Sequence, residues 1–234
     1  MKGRVVLLDH VQGREAAALV VDGAVEDLLL ASGAPAPGTI YRARATRPVK
    51  GQGGMFVETP DGSGFLRQVK GLAPGATLLV QVTGYAELGK AVPVTTKILF
   101  KSRYAIVTPH APGLNVSRQI RDEAVRDDIL ELAHEGMQGS AFGLILRSTC
   151  AGADADEIAE DIERTRGLAE AVMTDASGGP DTLVDGDGPH VLTWREWGQP
   201  DEVVSDEGAF ERFGVLDRID SMKGSPGPPS SAST

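Results

Sequence analysis

The stretch TIYRARATRPVKGQGGMFVETPDGSGFLRQVKGLAPGATLLVQVTGYAELGKAVPVTTKILF, residues 39–100, decides the fold. It holds five short runs of strand-forming residues: Ile40 to Ala45, Gly54 to Glu58, Gly64 to Gln68, Thr77 to Thr83 and Val94 to Phe100. Gly and Pro separate each run from the next. Short strands at such close spacing predict a small closed barrel, because closure removes the exposed strand edges that would otherwise pair with other chains.

On the N-terminal side, Arg4 to Leu8, Ala16 to Val21 and Val25 to Leu30 read as paired strands around the turn Asp22-Gly23. Gly33 to Gly38 is an Ala- and Pro-rich connector. On the C-terminal side a strand, Tyr104 to Thr108, is followed by a change of period. Asp122 is placed to cap a helix whose inward face is Ala124, Val125, Ile129 and Leu132 and which Gly136 ends. The strand Phe142 to Arg147 comes next, and then Asp154 or Asp156 opens a second amphipathic helix with Ile158, Ile162 and Val172 facing inward. Beyond Thr174 a short strand is expected at His190 to Trp194 and a helical fragment near Gly208 to Asp217; Lys223 to Thr234 lacks the apolar surface to order itself.

The chain carries a formal charge of -10, but unevenly. Residues 39–121 hold twelve Lys and Arg against three Asp and Glu, whereas residues 122–234 hold eight against twenty-five. A basic segment beside an acidic one is the asymmetry expected when one part of a protein meets a polyanion; a merely solvated basic surface is the plainer alternative. Apolar runs such as Leu28 to Ala31, or Leu78 to Val82 with Gln81 within it, are far too short to span a bilayer. The single cysteine, Cys150, leaves no intrachain disulfide and no Cys-x-x-Cys site, which fits a reducing cytoplasm, and it reads as a small buried hydrophobe. His10, His110, His134 and His190 show no ligand spacing.

Two of the chain's few aromatics, Phe56 and Phe65, stand on neighbouring predicted strands within Gly-Gly-Met-Phe and Gly-Ser-Gly-Phe. Exposed, they form a platform on which bases stack, with Arg67, Lys70 and Lys90 near enough to hold a phosphate backbone; buried, they are simply core.

The segments Thr39 to Arg47, Met55-Phe56-Val57, Gly64-Phe65-Leu66, Leu79 to Val82, Gly89-Lys90, Thr95-Thr96, Ser102-Arg103-Tyr104, Val116-Ser117-Arg118 and Leu144 to Ser148 resemble the N-terminal half of ribonuclease E/G proteins. The resemblance spans about residues 1–175 and implies an α+β protein. A five-stranded OB-fold barrel of the ribosomal-protein S-one type (39–101) and a small α/β 5′-sensor (102–175) would be inserted in a partial ribonuclease-H-like subdomain (1–38 and 176–222), with a disordered tail (223–234). It also implies roles. Phe56, Phe65 and Lys90 match residues that contact RNA in the family. Arg147 and Ser148 match an Arg-Thr pair that grips a 5′-terminal monophosphate, and Ser102, Ile106 and Arg118 fall where that pocket is lined. The chemistry suits the role, since a planar guanidinium offers paired donors to phosphate oxygens and the hydroxyl adds another.

Family enzymes continue into a domain whose aspartates hold magnesium and then a cysteine pair that shares zinc between subunits; neither is recognisable here. Asp185 and Asp187 stand in a turn-rich stretch and read as solvated, whereas metal-assisted cleavage needs carboxylates converging on one rigid site. No cofactor is therefore expected within this chain, and single-stranded RNA is the expected partner. Two forms of the resemblance compete: a short family member that binds RNA, and the N-terminal piece of a truncated or split magnesium-dependent endoribonuclease of RNA processing and decay, for which a chain supplying the catalytic domain would be a partner. A non-catalytic protein-interaction or translation-associated barrel is a third reading, which burial of Phe56 and Phe65 would favour.

Overall fold

The computed structural model describes residues 3–33, 35–49, 53–68, 71–86 and 89–224. They fall into two compact units, residues 1–31 with 188–234, and residues 32–187. The larger unit is thus an insertion in the smaller.

The smaller unit opens with an antiparallel meander, β1 (Arg4–Val11), β2 (Arg14–Val21) and β3 (Ala24–Leu30). Its hairpins turn on Gln12-Gly13 and Asp22-Gly23, both pairs at positive φ, the mirror-image turn whose twist matches that of the flanking strands.

In the larger unit β4 (Ile40–Val49), β5 (Gly54–Thr59), β6 (Gly62–Leu66), β7 (Thr77–Val82) and β8 (Val92–Thr95) pair in the order β4-β5-β6-β8-β7, and β7 returns to β4. This is the closed five-stranded barrel that the spacing predicts, with β6 and β8 parallel as OB-fold connectivity requires. Alternation along the strands fills it with Tyr41, Ala43, Ala45, Met55, Val57, Leu66, Val80, Val82 and Val94. Tyr41 is buried and donates its hydroxyl to Asp61 in the β5–β6 turn; burial, then this hydrogen bond, pushes its pKa up.

The run Val94 to Phe100 is not one strand. Lys97 N–H donates to Thr95 Oγ1 and Ile98 N–H to Thr96 O, so the chain turns after β8 and Phe100 begins β9 (Phe100–Lys101) in a second sheet. That sheet has the order β11-β12-β10-β9, with β10 at Ala105–Thr108, β11 at Leu114–Val116 and β12 at Gly143–Leu146. Helices α1 (Glu123–Gly136) and α2 (Ala155–Thr174) cover one face of it. Asp122 caps α1 by accepting from Val125 N, and Asp154, not Asp156, caps α2. Ala105, Val107, Leu144 and Leu146 share one core with Ile129, Ala133, Ile158, Ile162, Ala169 and Val172. Ile40 and Leu79 of the barrel, and Ile98 of the turn after β8, belong to the same core. After α2 the chain adds β13 (Asp181–Val184) to β4. There the buried Arg42 donates to Gly179 O (2.8 Å) and pairs with Asp175 (2.6 Å) and Asp181 (3.2 Å).

Back in the smaller unit, residues 190–194 are helical. Pro189 starts α3 (Pro189–Glu196), where its fixed φ suits the first turn and its missing N–H costs nothing. The expected strand there is corrected: Pro189 and Thr193, four apart, turn inward while Trp194 is exposed, a helical and not an alternating pattern. Then β14 (Glu202–Val204) pairs parallel with β1, giving the order β14-β1-β2-β3. Phe210 of α4 (Ala209–Arg212) and Val215 and Ile219 of α5 (Val215–Gly224) pack on one face of this sheet, and Trp197 on the other. The expected tail from Lys223 onward lies outside the described residues apart from its first two positions, which end α5.

Candidate nucleic-acid interface

Phe56 and Phe65 are direct partners across β5 and β6, with ring centroids 5.3 Å apart and planes inclined at 51°. Both point away from the barrel core and are half-buried, so the possibility that they are core residues does not hold. A Cβ on Gly54 would lie 2.5 Å from Phe65 Cζ, so any other residue there would displace the ring.

A β-bulge completes this face. Ala45 is opposite Val57 and Pro48 opposite Met55, so Thr46 and Arg47 together oppose the single residue Phe56. Thr46 Oγ1 donates to Phe56 O at 2.9 Å, and the Arg47 guanidinium lies 4.7 Å from the Phe56 ring centroid. Arg47 was not among the expected contact residues, because a bulge leaves no periodic trace in the sequence. On the other flank Pro93 is the β8 partner of Phe65. Arg67 is exposed two residues beyond Phe65, and Lys90 is exposed two residues before Val92, the β8 partner of Gly64. Lys70 lies outside the described residues.

The second group converges at the C-terminal end of β12. Arg147 N–H donates to Tyr104 O at 2.8 Å on one side, and on the other Ser117 N–H donates to Leu146 O at 2.8 Å. Arg147 is therefore flanked by the 102–104 turn and by the 117–118 segment that carries the exposed Arg118. Arg147 Nη1 donates to Ser102 O (2.6 Å) and Arg103 O (3.1 Å). Ser148 opens a short 3-10 turn ending at Cys150, and Ile106 and Ile145 are partners on the sheet face opposite the helices. Ser102 differs from expectation in detail: its hydroxyl donates to Asp161 Oδ2 and accepts from Ala105 N–H, so its proton already has an acceptor. A second arginine shapes the site from behind, since Arg126 of α1 donates to Ser117 O (2.8 Å) and Ile120 O (3.0 Å) and so holds the Arg118 segment. Burial pushes the Cys150 thiol up to about 11, in keeping with a packing residue.

Metal chemistry finds no donor set here. Among the described residues no three His, Cys, Asp or Glu side chains are placed to hold an ion. His10 and His190 do meet edge to face at 5.3 Å, but His190 Nε2 faces the carbonyls of Asp9 and Ala16 at 3.0 and 3.1 Å. Among the described residues no helix is long and apolar enough to cross a membrane.

Residues 100–207 match the family model of ribonuclease E/G. A ribonuclease E of Nostoc sp. (strain PCC 7120) is 27% identical over 177 residues, covering 68% of this chain and 26% of that protein. One of Synechocystis sp. (strain PCC 6803) is 26% identical over 169 residues, covering 65% and 25%. Over these residues the chain is similar to ribonuclease E/G proteins. The chain spans about a quarter of the length of the curated relatives it matches.

Proposed function

We propose that the chain binds single-stranded RNA through the Phe56–Phe65 platform and takes the RNA's 5′-monophosphate end at the β12 terminus. The observation that carries this is the outward ring pair roofed by Arg47 on a closed five-stranded barrel. Aromatic faces stack any base, and a guanidinium beside them serves a passing phosphate. Ser102, Ile106, Arg118, Arg147 and Ser148 then form the pocket for the terminal phosphate. The test is a titration of short single-stranded RNA at rising salt. Affinity should fall with a log-log slope of about -0.7 for each phosphate neutralised; a flat response would remove the charge half of the reading.

The chain's share of its relatives' length favours a second reading, that it is the N-terminal piece of a magnesium-dependent endoribonuclease. The purified chain alone is expected to leave single-stranded RNA uncut with magnesium present. Cleavage that survives purification and is lost in Asp185→Asn/Asp187→Asn would show a metal site within the chain.

A further inference from the structure

Asp161 is the only acidic side chain buried among the described residues, 6% exposed on the inner face of α2. A buried carboxylate is disfavoured unless donors surround it, and the donors around this one are unevenly shared. Oδ1 takes the guanidinium of Arg164, whose own side chain is largely exposed. Oδ2 takes both the Ser102 hydroxyl and the Tyr104 N–H, the latter at 3.0 Å. One oxygen therefore holds both ends of the 102–104 turn. The carbonyls of that same turn receive the Arg147 guanidinium, and Arg103 O also accepts from Thr149 Oγ1 at 2.6 Å. The connection runs from Asp161 through three residues of backbone to the side chain at the end of β12.

We propose that Asp161 is a positioning residue for the 5′-end pocket, fixing the Arg147 guanidinium by pinning the turn whose carbonyls hold it. The proposal rests on the 5′-monophosphate reading above and adds to it a residue that no RNA contacts. Direct electrostatics and positioning make opposite predictions. A negative charge beside an anion site opposes the more highly charged end, so its removal should raise the preference for a monophosphate by Coulomb attraction alone. If the carboxylate works by holding the turn, its removal lowers that preference. Asn keeps one oxygen to accept from Ser102 and Tyr104 but forms weaker bonds than a carboxylate, and Ala keeps none.

The experiment titrates a short RNA bearing a 5′-monophosphate, and its 5′-hydroxyl twin, onto the whole chain as wild type, Asp161→Asn and Asp161→Ala, with a thermal melt of each. The ratio of the two affinities should fall about threefold in Asp161→Asn and by about tenfold or to unity in Asp161→Ala, as expected for weakening and losing a charge-assisted contact. Affinity for the 5′-hydroxyl RNA should not change. A ratio that stays level or rises while the wild type prefers the monophosphate overturns the role of Asp161 and leaves the pocket standing. Equal loss for both RNAs with a lowered melting temperature also overturns it, by making Asp161 a general support of the fold. A wild type with no preference removes the pocket reading and this proposal together. Should Asp161→Ala not fold, Asp161→Asn decides by the same criterion.

Discussion

Replacing Phe56 with Ala is expected to weaken single-stranded RNA binding by about 1–3 kcal/mol, and Phe65→Ala by a similar amount, the worth of one stacked base. The barrel should stay folded in both variants because neither ring belongs to its core cluster. The double substitution should cost less than the two singles together. The rings touch each other at 5.3 Å, so each orders its neighbour and the effects are not independent. Arg47→Ala offers a gentler check, since it removes the cation over Phe56 while leaving both rings. Binding by fluorescence anisotropy, with circular dichroism to verify folding, measures all four. Undiminished binding by folded Phe variants would reject the platform and return weight to a protein-interaction barrel.

Arg147→Ala is expected to abolish the preference for 5′-monophosphate over 5′-hydroxyl RNA, a loss of about 1.5–3 kcal/mol for one charge-assisted contact. Affinity for the 5′-hydroxyl RNA should survive, because the barrel supplies it. Arg147 also donates to two carbonyls of the 102–104 turn, so part of the effect of Ala would be a loosened turn. Arg147→Lys separates the two: it keeps the charge but not the planar fork. An intermediate preference is expected from Lys. A wild type that binds both RNAs equally would leave the barrel as the only working site.

The barrel was legible because its signals are local. Five strand runs with Gly or Pro between them admit few closures, and the inward alternation of Tyr41, Ala43 and Ala45 is written directly in the residues. Both long helices were legible for the same reason, with Asp122 and Asp154 at their caps. What could not be read depends on pairing between distant segments. The strands β11, β13 and β14 are three or four residues long and exist only because β12, β4 and β1 offer an edge. At the candidate site the residue types were apparent but not their connections. Arg47 reaches Phe56 through a register shift, and Asp161 reads as one more acid on an acidic helix until the fold brings it to Ser102 and Tyr104. His190 to Trp194 failed because five residues are too few to separate a period of two from one of 3.6.

The core that Ile40, Leu79 and Ile98 share with Phe100, Leu144 and Ile158, closed over by the Arg42 ion pairs, has a thermodynamic consequence. The barrel and the α/β layer have these buried residues in common, so residues 32–187 should melt in one cooperative transition and their slowest-exchanging amides should share a single protection limit. On that expectation the stretch from the Phe pair to the end of β12 acts as a ruler and not a tether. For a strand of RNA held at both places, the local concentration of its free end is set by a fixed span, and avidity switches on with RNA length instead of growing gradually.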